Sequence, residues 1–195
     1  AGLDTRSARL GGAGLRWFEV DHPSSQDLKL ERLAELDNYP LETATFVRCD
    51  FETDDFIDRL TDSGFNAEEA ALFVWEGVTP YLSEEAIRTT VKRISSTCHP
   101  ETVLIYDHLE KKLVGGSSID LADAALKEMV EDLGEPFRFG IDDPLPLMVE
   151  EGYRQVRRAS FDEICLALTG TYERSRKFRF QHIVEASRSQ LHSSW

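Results

Sequence analysis

Four short apolar runs, each closed by an acidic residue, set the strongest constraint on what this chain can fold into. They are Leu15–Val20 ending at Asp21, Ala44–Cys49 ending at Asp50, Ala71–Trp75 ending at Glu76, and Thr102–Tyr106 ending at Asp107. Their length and their β-branched and aromatic content read as strands. Longer stretches of helical spacing lie between them. Ser24–Asp37 carries Leu28, Leu30, Leu33 and Leu36 behind a Ser24 or Ser25 cap; Phe56, Ile57, Leu60 and Phe65 precede a stop at Gly64. Ser83-Glu-Glu-Ala86 opens a helix through Val91 and Ile94, and Ser117–Leu133 is a further helical pattern stopped by Gly134. Parallel strands need a long crossover, so this alternation implies βαβ units and an open α/β sheet. Ala71–Trp75 is apolar throughout, the pattern of a strand buried on both faces, which places it at the sheet centre. Leu145–Glu151 reads as a last helix before closing strands near Tyr153–Arg158 and Arg179–Val184.

A chain of 195 residues is one domain's worth, and residues 1–195 are taken as a single unit. With 41% hydrophobic and 30% charged residues the chain is built to fold. Its net charge of −14 repels phosphate backbones and anionic lipid, so neither nucleic acid nor membrane is an expected partner. Three cysteines, Cys49, Cys98 and Cys165, are odd in number and far apart, which suggests no disulfide framework and no metal site and fits a reducing cytoplasm. Residues 154–195 hold 8 basic and 4 acidic side chains, which reads as a solvated edge hairpin.

In an open α/β sheet ligands bind beyond the carboxyl ends of the strands, where the four acids fall. The chain opens on Ala1-Gly2-Leu3-Asp4, a turn in which Gly2 lets backbone approach a ligand closely. An acid at the end of the next strand, Asp21, can accept hydrogen bonds from two ribose hydroxyls. The pair suits any nucleoside cofactor. A dinucleotide fingerprint needs a third glycine, which Leu3-Asp-Thr-Arg6 lacks, and Asp4 would repel a pyrophosphate. A cofactor carrying an amino group and no phosphate, such as S-adenosylmethionine, fits better.

The residues Ala1-Gly-Leu-Asp-Thr-Arg6, Phe18-Glu-Val-Asp-His-Pro23, Cys49-Asp-Phe-Glu-Thr-Asp54 and Trp75-Glu-Gly-Val-Thr-Pro-Tyr-Leu82 together resemble the leucine carboxyl methyltransferase-like family. Gly134–Asp142 and Leu168-Thr-Gly170 extend the resemblance to its bacterial and fungal small-molecule branch of S-adenosylmethionine-dependent methyltransferases. The resemblance implies a Rossmann-like class I methyltransferase sheet, helices on both faces, with its last strand antiparallel. It also implies that the family's first strand and the helices before it are missing here, so that the domain is truncated at its N-terminus. Carried over by residue, Gly2 lines the methionine part of the cofactor, Asp21 binds the ribose hydroxyls, Asp50 and Phe51 bracket the adenine, and Glu76 faces the cofactor's amino end. In the branch that methylates a protein C-terminus an arginine follows the adenine motif, whereas this chain has Glu52, which argues for a small-molecule acceptor.

For a hydroxyl acceptor, His108 beside Asp107 is the first choice of general base, against a plain loop histidine; His22 reads as a turn residue. Tyr81 could donate a hydrogen bond to the substrate or pack as an aromatic over the site. The expected activity is an O-methyltransferase acting on a carboxylate or hydroxyl. Two rivals stand beside it: a nicotinamide-dependent oxidoreductase, and a degenerate cofactor-binding module without catalysis.

Overall fold

A computed structural model describes residues 2–11, 14–116, 121–132, 134, 136–171 and 178–189. Ala1 of the glycine turn, and Ser117 and Leu133 at the ends of one expected helix, lie outside these. The chain divides into two compact units, Ala1–Ala67 and Glu68–Trp195. Among the described residues no helix is long and apolar enough to cross a membrane.

The first unit runs α1 (Arg6–Leu10), β1 (Phe18–Asp21), α2 (Pro23–Ala34), a 3-10 turn (Leu41–Thr43), β2 (Thr45–Arg48) and α3 (Phe56–Asp62). β1 and β2 pair in parallel, from Phe18 opposite Thr45 to Asp21 opposite Arg48, with α2 as the crossover. The cap of α2 is His22 rather than Ser24 or Ser25, because Pro23 takes the first helical position, where its missing N–H costs nothing. The His22 Nδ1 accepts the Ser24 N–H at 3.3 Å. The buried stripe of α2 is Gln26, Lys29 and Leu33, while Leu28 and Leu36 are exposed. This corrects the leucine face read from sequence: positions 26, 29 and 33 share one helix side, and two of them are polar. Gln26 Nε2 reaches the carbonyls of Glu19 (3.3 Å) and Val47 (3.2 Å), stitching the helix to both strands. α3 is capped by Asp55, which accepts from the Ile57 and Asp58 amides, and it buries Phe56, Ile57 and Leu60. As expected, Gly64 follows its end, at a φ of 92° that favours glycine.

The second unit contains β3 (Leu72–Trp75), α4 (Glu84–Thr97), β4 (Val103–Leu109), α5 (Lys111–Val114), α6 (Leu121–Asp132), α7 (Leu145–Glu150), β5 (Gln155–Ser160), α8 (Phe161–Thr169) and β6 (Gln181–Ser187). Its sheet has the order β3-β4-β6-β5: β3 and β4 are parallel, and β6 lies antiparallel to both β4 and β5. Leu104, Tyr106, Val184 and Ala186 of the two central strands are buried, as are Ile87, Val91 and Ile94 of α4 and Leu147 and Met148 of α7. Tyr153 is buried and donates its hydroxyl to the Val91 carbonyl at 3.2 Å.

Three differences from the sequence reading bear on the site. β3 is an edge strand in this sheet, with Leu72 62% and Val74 44% exposed, not a strand covered on both faces. An unbroken apolar run looks the same in sequence whether one face or two are covered. β4 continues through Asp107 and His108 instead of stopping at Tyr106, because β6 pairs with it as far as Leu109. The closing strands are separated by α8, which starts with a full capping box between Ser160 and Glu163 and ends at Gly170 in the left-handed region. The Ser-Phe-Asp-Glu spacing was the available signal for that helix.

The open side of β3 yields a first prediction. Val74→Lys should leave the thermal unfolding midpoint nearly unchanged, since exposed substitutions shift stability by about 0.5 kcal/mol or less, while raising the concentration at which light scattering first detects aggregates. A large loss of stability would show that Val74 is part of the core.

Candidate functional site

In the first unit the expected residues gather at the carboxyl ends of the parallel pair β1 and β2. Asp21 accepts the Gly2 N–H on Oδ2 at 2.5 Å and the His22 N–H on Oδ1 at 2.8 Å. Gly2 itself has a φ of 48° and open space where a Cβ would sit, so the turn presents bare backbone. Beyond β2, Asp50 accepts the Glu52 amide at 3.0 Å, and its own amide donates to the Asp54 carboxylate at 2.9 Å. The Phe51 ring lies 5.2 Å from Phe56 at 33°, half-buried. Asp4 is engaged by Arg6, which donates to it from its backbone (2.8 Å) and from Nε (2.6 Å). Burial works against the charge of the Asp4 carboxyl, but the bonds from Arg6 outweigh it and hold the group below its usual range.

Sequence reasoning missed the residues underneath. Glu19 and Lys29 are both buried and form an ion pair, Ser7 Oγ donates to Glu19 Oε1 at 2.6 Å, and Lys29 Nζ also donates to the Asp4 carbonyl at 2.5 Å. The signal was there: an acid on the same strand face as Asp21, and a lysine three residues from Gln26 and four from Leu33.

In the second unit Asp107 is fully committed to structure. Its carboxylate accepts the Gly77 amide (2.8 Å) and Gln181 Nε2 (2.7 Å), and its carbonyl accepts the Thr79 hydroxyl (2.5 Å). Burial raises its pKa above the usual carboxylate range, the Gly77 and Gln181 bonds oppose this, and the charge of Glu76 adds to the rise. These bonds shape the loop leaving β3, in which Glu76 is exposed and Gly77 has a φ of 69°. Tyr81 sits on a 3-10 turn (Thr79–Tyr81), half-buried, its ring 5.7 Å from Phe137.

His108 is corrected most. It is not a strand-end or loop residue but a wholly buried ring inside β4, stacked on His182 of β6 at 5.1 Å and 15°. Its Nδ1 is 3.3 Å from the Leu109 carbonyl, and its Nε2 is buried with no hydrogen-bond partner of good geometry among the described residues. Burial lowers its pKa to about 4, and the nearby His182 and Arg158 charges push the same way. A general base must become an imidazolium, and this site penalises that form. His182 in turn places Nε2 3.2 Å from Glu110, whose other oxygen meets Lys112 at 2.5 Å.

Residues 1–95 match the leucine carboxyl methyltransferase family. A Mycolicibacterium smegmatis protein named "Putative S-adenosyl-L-methionine-dependent methyltransferase" is 32% identical over 138 residues, 63% of this chain and 46% of that one. The chain is thus similar to the leucine carboxyl methyltransferase-like family. The chain spans about half the length of the relatives it matches. Among solved structures, the glycopeptide N-methyltransferase MtfA complexed with S-adenosylhomocysteine superposes with a TM-score of 0.58 at 12% identity, over 97% of this chain and 79% of that one. The apo S-adenosylmethionine-dependent methyltransferase SibL gives 0.54 at 18%, over 90% and 44%. At such identities the likeness is one of fold, and the fold is the Rossmann-like methyltransferase one.

The buried His108 sets a pH dependence. Its folded pKa lies below the ordinary 6.5, so as pH falls the unfolded chain takes up the proton first, and stability is lost between about pH 6.5 and 4. The full loss is about 3 kcal/mol, at ~1.4 kcal/mol per unit. Urea unfolding at both ends of that window should show His108→Gln losing correspondingly less than the parent. Equal losses would mean that His108 does not govern acid sensitivity.

Proposed function

We propose that this chain carries the S-adenosylmethionine-binding framework of a methyltransferase whose acceptor is an oxygen, carboxylate or hydroxyl, of a small metabolite. The observation that carries the reading is the Gly2 turn held on Asp21, with Asp50 and Phe51 at the neighbouring strand end. The Gly2 and His22 amides each donate to one oxygen of Asp21, which fixes the carboxylate that a ribose diol would meet. The phenyl face of Phe51 suits an adenine edge. In the second unit Glu76 is assigned the cofactor's cationic amino end, presented by the loop that Asp107 shapes. S-adenosylmethionine supplies, when bound, a sulfonium methyl that passes in line to the acceptor oxygen while S-adenosylhomocysteine leaves.

The chain's own part is therefore to position and to match charge. A carboxylate acceptor is already the nucleophile and requires no base. A hydroxyl acceptor would have to find one other than His108, whose burial opposes protonation. Tyr81, with its ring packed on Phe137, is proposed to orient the acceptor through its hydroxyl. The whole assignment extends over 1–195 as one methyltransferase domain, and we take a soluble cytoplasmic setting as its context.

Calorimetric titration tests the cofactor. S-adenosylhomocysteine should bind and NAD should not; NAD binding alone would favour an oxidoreductase, and binding of neither a non-catalytic module. Asp21→Ala should weaken S-adenosylhomocysteine by the ~1.5–3 kcal/mol of hydrogen bonds to a charged group, and Glu76→Gln should weaken S-adenosylmethionine while the fold persists. Unchanged affinity in Asp21→Ala would remove that residue from the site. For the acceptor, the exposed Glu52 in place of an arginine predicts no transfer of labelled methyl to peptides ending in a C-terminal leucine carboxylate. Efficient transfer to such a peptide would overturn the small-molecule assignment.

A further inference from the structure

From the buried cluster beneath the glycine turn, we infer that Lys29 and Glu19 are positioning residues for the cofactor turn, acting through the Asp4 carbonyl and the Ser7 hydroxyl. The inference rests on the reading that Gly2 and Asp21 hold S-adenosylmethionine.

Glu19 and Asp21 are two apart on β1 and so share one face of the strand. The segment from Gly2 to Ser7 is fastened along that face at three points. Asp21 takes the Gly2 amide, Glu19 takes the Ser7 hydroxyl, and Lys29 reaches from α2 to grip the Asp4 carbonyl between them. Lys29 completes the clamp through its ion pair with Glu19, under the Phe46 ring 6.0 Å away, which sits on β2 directly opposite Glu19. The Asp4 side chain is turned to Arg6, so it is the carbonyl alone that Lys29 holds.

Stability does not explain this choice of residues. An apolar side chain at position 29 would dock α2 as well, because burying an ion pair costs desolvation that its attraction barely returns. What a leucine could not do is fix the orientation of one peptide group in the turn. An ammonium with three donors on a buried stem does that, and Glu19 keeps it from being an unanswered charge.

The test uses the full chain and the double variant Glu19→Gln with Lys29→Met, which removes both charges and keeps comparable volume. Single variants are informative about stability only, since each strands a buried charge. Thermal unfolding, hydrogen exchange of the Gly2–Ser7 amides, and S-adenosylhomocysteine titration are read side by side. The clamp predicts an unfolding midpoint close to the parent's, exchange at least tenfold faster across Gly2–Ser7, and affinity at least tenfold weaker. Unchanged exchange overturns the clamp whatever the affinity does. Faster exchange with unchanged affinity overturns its role in binding. If the parent itself binds no S-adenosylhomocysteine, the cofactor reading falls and the positioning role falls with it, while the exchange result still reports whether the clamp exists. A double variant that unfolds would show that the pair serves stability, contrary to the inference.

Discussion

A carboxylate buried against a strand must be answered by donors fixed in place, and in this chain that requirement organises both units. Glu19 is 6% exposed, and its partners decide how the first unit is built. Lys29 has to lie inward on α2, so α2 docks through Gln26, Lys29 and Leu33 and leaves Leu28 to solvent. Ser7 has to reach Glu19, which brings α1 and the turn before it onto the β1 face that also carries Asp21. An apolar β1 would have made none of these demands.

Asp107 imposes the same rule on the second unit. It is 3% exposed, and the Gly77 amide and Gln181 side chain that satisfy it tie the exit of β3 to the start of β6. The acid that sequence patterning marked as a fourth site residue is thus the anchor of a loop, and the residue presented on that loop is Glu76. Of the two roles that strand-end acids can play, fastening backbone and facing ligand, Asp107 takes the first, and the second is the one proposed for Glu76.

The alternation of strands and helices was legible because apolar periodicity and stop residues are local: β1, β2, α3, α4 and α7 fall within a few residues of their expected bounds. The parallel β1–β2 pair and the antiparallel last strand followed from the same alternation and from the family resemblance. What could not be read is set by partners distant in sequence. β3 shows its exposed face only once its pairing is known. His108 looks like a polar residue after an apolar run, and only the stack on His182, 74 positions away by number, makes it core. Glu19 and Lys29 each look like ordinary surface charges of an amphipathic element. Their burial is a property of the pair.

Charge also separates the candidate cofactors at the first unit's strand ends. Asp4 and Asp54 each carry a guanidinium, Arg6 and Arg59, whereas the donor described for the Asp50 carboxylate is a backbone amide, which satisfies a carboxylate without cancelling its charge. A phosphate oxygen about 6 Å from one such carboxylate is repelled by about 3 kcal/mol at an effective dielectric near 20. One such repulsion already exceeds what a pyrophosphate gains from a helix N-terminus, a gain of about 1–2 kcal/mol. The same acid attracts a sulfonium or an ammonium by a comparable amount. The turn geometry alone is common to both cofactor classes, and an acid beside it that is held by a neutral donor favours the cationic one.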